Sequence, residues 1–73
     1  MRRFVDDDGR TWDVVLGRES WGGLLALFVP ADGGAARQAP LRSDGYDAAT
    51  HELETLDEAA LHRLLRASTE KEG

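Results

Sequence analysis

Hydrophobic and polar positions alternate in the first part of the chain. Every second residue from Trp12 to Leu16 is apolar, a pattern that is typical of a strand with one buried face. Residues 3–5 form a shorter β-prone run, and an Asp-Gly pair at residues 8–9 lies between the two runs. Because such a pair supplies the positive φ that a tight turn needs, we predict a β-hairpin over residues 3–16.

The next segment is continuously apolar from residue 24 to residue 29 and stops at Pro30. A run of this length is too short for a helix that ends in proline, so we predict a central strand over residues 24–29. Residues 36–41 can pair with this strand as a further, shorter strand. Pro40 has no N–H to donate, which confines that strand to the edge of the sheet.

A helical period appears near the C-terminus. Apolar residues from Leu56 to Leu65 recur at spacings that form one stripe, and this predicts a helix over residues 56–67. Thr55 and Glu58 fit a capping box in which Thr55 is the N-cap residue.

The remaining segments carry no clear period. Residues 42–50 contain an Asp-Gly pair and are predicted to form a loop, and residues 51–56 fit either a crossing segment or a short strand. Residues 68–73 form a charged tail that we expect to fray. Residues 1–73 are therefore predicted to be a single small α+β domain, a three- to four-stranded antiparallel β-meander with the C-terminal helix packed on one face.

Composition excludes several classes of function. The 73 residues include no cysteine, which rules out disulfides, zinc–thiolate sites and thiol catalysis. Nine basic and fourteen acidic residues give a net charge of −5, which opposes direct binding to nucleic acid. No apolar run is long enough to span a membrane, and a cytoplasmic location is expected. The absence of Ile and Asn, both encoded by AT-rich codons, indicates a GC-rich bacterial source.

The acidic turn at residues 6–9 invites comparison with a calcium-binding EF-hand loop. With Gly9 at the sixth loop position, Phe4 and Val15 occupy the first and twelfth positions, where acidic ligands are required. We therefore interpret the segment as a solvated hairpin turn. No metal or cofactor is predicted.

The two histidines do not indicate a catalytic or metal site. Neither His51 nor His62 has a second histidine at ligand spacing, and Glu58 and His62 are spaced as a surface pair on a helix. No serine lies in a nucleophile-elbow context. We predict no catalytic residue and no enzyme activity.

The hydrophobic residues that lack an evident core partner favour a protein–protein interaction module. The central strand is apolar on both sides, and a single helix cannot cover both faces of the sheet. We expect one side of the strand to bind a protein partner, which can be another protein or a second copy in a homodimer. The tentative interaction residues are Trp21, Leu24, Ala26, Phe28 and Tyr46.

Three alternatives stay open at this point. The opposite set of the central strand could form the surface, if the register is shifted by one residue. Residues 42–50 and 51–56 could instead cover the face within one chain, without a partner. The acidic second half could also belong to an accessory or inhibitory subunit that acts on a nucleic-acid-handling machine, and such a partner would be lost steeply with added salt.

The segment from Arg3 to Trp12 resembles the opening of short uncharacterised proteins from GC-rich bacteria. Their R-x-F-x-D-x-D-G-R-x-W hairpin is followed by a Gly-rich apolar strand, an Ala-Pro strand and an L-x-D-E-x-L-x-x-L-L helix. Residues 39–41 match the second strand, and residues 56–65 match the helix except that the Asp-Glu pair comes one position earlier. The resemblance implies a stand-alone bacterial domain and brings no known activity.

Overall fold

A computed structural model describes residues 2–19, 22–43 and 45–70 of the chain. These residues form five strands and two helices. In chain order they are β1 (Arg2–Val5), β2 (Thr11–Arg18), β3 (Leu24–Pro30), β4 (Arg37–Pro40), α1 (Tyr46–Thr55), α2 (Glu58–Ala67) and β5 (Thr69–Glu70).

The strands form one antiparallel sheet in the order β1-β2-β3-β4-β5. Both helices lie between β4 and β5 in the chain and pack on the same face of the sheet, where Leu53 and Leu61 are buried. The α+β class and the antiparallel sheet are confirmed, but the sheet has five strands and there are two helices. Among the described residues, neither ten-residue helix is long and apolar enough to cross a membrane.

The core is centred on Phe28, which has no exposed surface. Its ring meets the edges of two aromatic neighbours, Phe4 at 6.0 Å between centroids and Trp12 at 6.4 Å, with interplanar angles of 74° and 89°. Edge-to-face pairs of this kind stabilise a core beyond the area they bury. Leu53 of α1 and Leu61 of α2 close the same cluster from the helix side.

The predicted hairpin is present in nearly the expected place. Arg2–Val5 pairs with β2 in a register that sets Phe4 opposite Trp12, and Gly9 adopts the positive φ of 83° that the turn requires. The structure extends β2 to Arg18, two residues beyond the predicted end at residue 16.

The central strand is also present, and it runs one residue further, to Pro30. The prediction that residues 36–41 form an edge strand is wrong in part, because β5 pairs with Arg37 and Gln38 of β4. That pairing stops short of Pro40, whose missing N–H lies on the unpaired side.

The charged tail of residues 68–73 begins as ordered structure. Ser68 is buried, and it accepts hydrogen bonds from Arg37 at its Oγ (2.8 Å, from Nε) and at its carbonyl oxygen (2.7 Å, from Nη2). These contacts hold the end of α2 against β4 and lead directly into β5. The expectation of fraying is therefore wrong for residues 68–70, and residues 71–73 lie outside the described residues.

The predicted loop of residues 42–50 and the ambiguous segment of residues 51–56 contain the helix α1 instead. Only Ala49 and Leu53 of this helix are buried, which is too sparse a pattern to read as a helical stripe. The helix α1 packs on the same face of the sheet as α2. The fold therefore agrees with the alternative in which residues 42–50 and 51–56 cover this face within one chain, without a partner.

The C-terminal helix begins two residues later than predicted, and its N-cap is Asp57. The Asp57 carboxylate accepts a hydrogen bond from the backbone N–H of Ala60 at 2.8 Å. Thr55 ends α1, where its hydroxyl donates to the carbonyl of His51. The capping-box assignment to Thr55 is therefore wrong, because Thr55 and Asp57 can both cap a helix and Thr55 is the last residue of α1.

Replacing Asp57 with alanine is expected to lower the free energy of unfolding by about 1 kcal/mol, since one N-terminal N–H of α2 loses its acceptor. Thr55→Ala is the matched control and should change the free energy of unfolding by less than about 0.5 kcal/mol. Urea denaturation followed by circular dichroism measures both. A larger loss from Thr55→Ala than from Asp57→Ala would contradict the assignment.

Candidate functional site

Three of the residues predicted to bind a partner are in the core. Leu24, Ala26 and Phe28 are at most 5% exposed, and they face the helices together with Val14 and Phe4. The prediction that they form an exposed surface is wrong for the single chain, because α1 supplies a second helix over this face. The opposite set of the same strand points away from the helices.

Tyr46 and Trp21 were the two aromatic candidates outside the core. Tyr46 is 62% exposed, so it is available for contact, but it begins α1 and does not lie in a loop. Trp21 lies outside the described residues, and its predicted role stays a prediction.

The sheet face opposite the helices carries an apolar patch, which we call the open face. Its members come from four strands, and Val5 and Val29 are 51% and 42% exposed. The members are Val5, Val15, Leu25, Leu27, Val29 and Pro40. Within the described residues no helix packs on this side, so the patch is uncovered in one chain.

Gly17 shapes the middle of the open face. A Cβ atom at this position would lie 2.7 Å from Cδ1 of Leu27 and 3.0 Å from Cδ1 of Leu25. The absence of a side chain lets both leucines lie over bare backbone. This explains why Leu25 is only 6% exposed although it is on the uncovered side of the sheet.

The charges of the open face cancel. Arg3 donates to the two carboxylate oxygens of Asp13, from Nε at 2.8 Å and from Nη2 at 3.2 Å. The hydrogen bond from Arg3 holds the pKa of Asp13 below its ordinary value, so this carboxylate stays ionised beside its partner. The pair therefore adds polarity to the face without adding net charge.

A groove of about 300 Å³ continues the open face at one end of the sheet. Leu25, Pro40 and Leu41 form its apolar part, and Glu19 and Arg42 bring one negative and one positive side chain to its rim. The rim, like the face, carries groups of both signs.

The acidic hairpin turn is organised around Asp6. Its Oδ1 accepts from the backbone N–H groups of Asp8 and Arg10, both at 2.9 Å, and its Oδ2 accepts from Nε1 of Trp12 at 2.8 Å. The hydrogen bond from Trp12, followed by that from Arg10, lowers the pKa of Asp6. Asp6 thus closes the turn and orients a core tryptophan, which is a structural use of the carboxylate.

His62 joins α2 to the same hairpin. Its Nδ1 lies 3.2 Å from the carboxylate of Asp7, and its Nε2 lies 2.9 Å from the carbonyl oxygen of Val5. Its ring is tilted by 38° against the ring of Phe4, with the two centroids 5.4 Å apart. The predicted surface pair with Glu58 is replaced by these contacts to the hairpin. Among the residues that the structure describes, no three histidine or acidic side chains are grouped to hold a metal ion.

No family model, curated protein or solved structure matches the chain. The resemblance to short bacterial proteins with the same hairpin stays a prediction.

The residues that the sequence did not single out are those of the open face. Val5, Val15 and Val29 look like ordinary strand residues, and only the alternative register of the central strand pointed to their side. Choosing between the two sides required knowing that residues 46–55 form a helix.

The lowered pKa of Asp6 predicts acid sensitivity. Because the folded-state pKa lies below 3.8, the stabilisation by Asp6 is fully present above pH 3.8 and is lost as pH falls through the folded-state pKa. In melting curves recorded from pH 7 to about pH 2, the wild type should lose Tm more steeply below that value than Asp6→Asn. Asp6→Asn should also melt lower at pH 7, since an amide cannot accept from all three donors.

Asp8→Asn is the control for this experiment. This substitution removes the charge of a neighbouring carboxylate, which makes no hydrogen bond among the described residues. We expect its acid profile to follow that of the wild type. Equal profiles for Asp6→Asn and the wild type would show that Asp6 does not link stability to pH.

Proposed function

We propose that this chain is a non-enzymatic protein–protein interaction module that binds a second copy of itself through the open face. The observation that carries the proposal is an uncovered apolar patch whose charged groups are paired. Val5 and Val29 project into solvent on this side, and no helix among the described residues covers the other apolar members of the open face. Exposed apolar patches on small proteins commonly mark interfaces.

Electrostatics favours a second copy at this face over other faces of the molecule. The chain has a net charge of −5, so two copies repel each other when their acidic surfaces meet. Among the described residues, the open face and its groove contribute two basic and two acidic side chains, which sum to zero; the basic ones are Arg3 and Arg42 and the acidic ones Asp13 and Glu19. The excess negative charge lies elsewhere.

The area of the open face determines the dissociation constant that we expect for the dimer. Five strands spaced about 4.8 Å apart and about five residues long give a face of roughly 400 Å² in projection on each chain. An interface of this size is at the low end of those that bind specifically, so we expect a reversible dimer with a dissociation constant on the order of micromolar.

The second candidate, an acidic accessory or inhibitory subunit, has weaker support. On the surface of α2, Arg63 and Arg66 are exposed beside Glu58, so this part of the second half alternates in sign. A mimic of nucleic acid needs a more continuous run of negative charge. Added salt separates the two proposals, because an apolar interface keeps its partner while an electrostatic one loses it.

The dimer is tested by mass measured in solution as the concentration rises from about 10 µM to about 500 µM. The average mass of the wild type should increase from 8.0 kDa toward twice that value. Val29→Asp places a carboxylate on the open face at a site that is already partly solvated, and it should raise the dissociation constant at least about tenfold.

Ala59→Asp is the matched control, since it adds the same charge at an exposed position on α2. It should dimerise like the wild type. A mass that stays at 8.0 kDa over the whole range would overturn the proposed self-association. If Val29→Asp and Ala59→Asp behave alike, the interface is not the open face.

A further inference from the structure

The open face carries an ion pair within its apolar surface. The register sets Arg3 of β1 opposite Asp13 of β2, and Asp13 in turn lies opposite Val29 of β3. Val5 and Val15 lie two residues further along β1 and β2, on the same side of the sheet because side chains alternate along a strand. Any partner that covers these valines therefore also covers the ion pair.

Arg3 is the more solvated member of the pair. Its side chain is 64% exposed, whereas that of Asp13 is 18% exposed. The guanidinium binds Asp13 through Nε and Nη2, and its other N–H groups have no acceptor among the described residues. Removing such a pair from water costs free energy unless new hydrogen bonds replace those made to water. A partner that covers the open face should therefore bring an acceptor to Arg3.

A second copy of the chain brings that acceptor in a suitable orientation. In a twofold-symmetric interface, a contact from residue i to residue j is repeated from j to i. A twofold axis that runs along the strands and passes between the guanidinium and the carboxylate reverses the ion pair. Arg3 of one copy then lies against Asp13 of the second copy, so each charge has an opposite charge within its own chain and another across the interface.

The same axis brings the exposed valines together. Strands β1 and β3 lie on either side of β2, so a rotation about an axis close to β2 sets β1 of one copy against β3 of the other. Val5 belongs to β1 and Val29 to β3, and these residues are 51% and 42% exposed in the single chain. One symmetry operation thus covers both valines and gives the ion pair a partner.

We propose that Arg3 and Asp13 determine how the open face recognises a second copy, with the ion pair of one copy packed in reverse on that of the other. This arrangement rests on the proposed self-association of the chain and specifies the orientation of its two copies. An axis across the strands would instead set Arg3 against Arg3 and Asp13 against Asp13, and like charges in contact oppose binding. The pair therefore selects one orientation of the dimer.

Reversing the charges tests this recognition. The double variant Arg3→Asp, Asp13→Arg keeps an ion pair within the chain, and its reversed pair matches that of a second variant chain. It should therefore self-associate with a dissociation constant within about threefold of that of the wild type. A mixed dimer of wild type and variant brings like charges together, so its dissociation constant should be at least about tenfold higher than that of either homodimer.

Native mass spectrometry of an equimolar mixture measures this difference, with one of the two proteins isotope-labelled. Without discrimination the mixed dimer makes up about half of all dimers, whereas a mixed dimer that binds about tenfold more weakly makes up about a tenth of them. A mixed dimer that remains at about half would overturn the proposed recognition and leave the self-association in place. Absence of any wild-type dimer would overturn both.

The control for this experiment reverses an ion pair on the helix side of the molecule. Arg66 of α2 and Asp7 of the hairpin turn lie 3.5 Å apart, and both side chains are mostly exposed. The double variant Asp7→Arg, Arg66→Asp also leaves the net charge unchanged, and it should form mixed dimers with the wild type in the statistical proportion. Loss of the mixed dimer in this control as well would overturn the assignment to Arg3 and Asp13.

Cross-linking measures the orientation without any change of charge. The chain has no cysteine, so thiols can be introduced singly. Sheets that pack face to face lie about 10 Å apart, which is too far for a disulfide but suits a bismaleimide reagent with a span of about 10 Å. At about 500 µM, Val5→Cys mixed with isotope-labelled Val29→Cys should give a cross-linked heterodimer.

Ala59→Cys replaces Val5→Cys in the control mixture, because it introduces a thiol at an exposed position of α2. This mixture should give little cross-linked heterodimer. Equal yields from the two mixtures would overturn the proposed orientation, and this result decides the matter if the charge-reversed variant does not fold.

Discussion

The edge-to-face contacts of Phe28 with Phe4 and Trp12 determine which side of the sheet becomes the interior. Three rings from three neighbouring strands project on the same side, and Val14, Ala26 and Ala39 extend the buried cluster around them. The helices must bury their apolar residues against something, and this cluster is where both of them do so. The open face is exposed because both helices pack on the opposite side of the sheet.

The sequence predicts those parts of the fold in which a residue type has a single local structural role, such as ending a strand or forming a turn. The Asp-Gly turn and the alternation that follows it specify the first hairpin, and Pro30 ends the central strand. The helix α1 could not be predicted in this way. It buries only Ala49 and Leu53, so most of its stability comes from packing on a sheet that a local pattern does not reveal.

Competition between neighbouring signals explains the other differences. Thr55 and Asp57 are both good cap residues, and the choice between them depends on where the preceding helix ends. Strand β5 has only two residues and no β-prone pattern; it exists because Arg37 binds Ser68 and brings the chain back to β4. The candidate surface was predicted on the wrong side of the central strand, because the position of α1 determines which side of that strand is exposed.

The open face has a physical origin in the number of helices and the side on which they pack. Among the described residues, two helices of ten residues cover one face of a five-stranded sheet, which leaves the other face open. On the open face, Gly17 lets Leu25 and Leu27 lie over bare backbone and Arg3 neutralises Asp13, so the surface is apolar without net charge. A face of this kind suits a broad apolar partner, because little charge has to be removed from water when the partner binds.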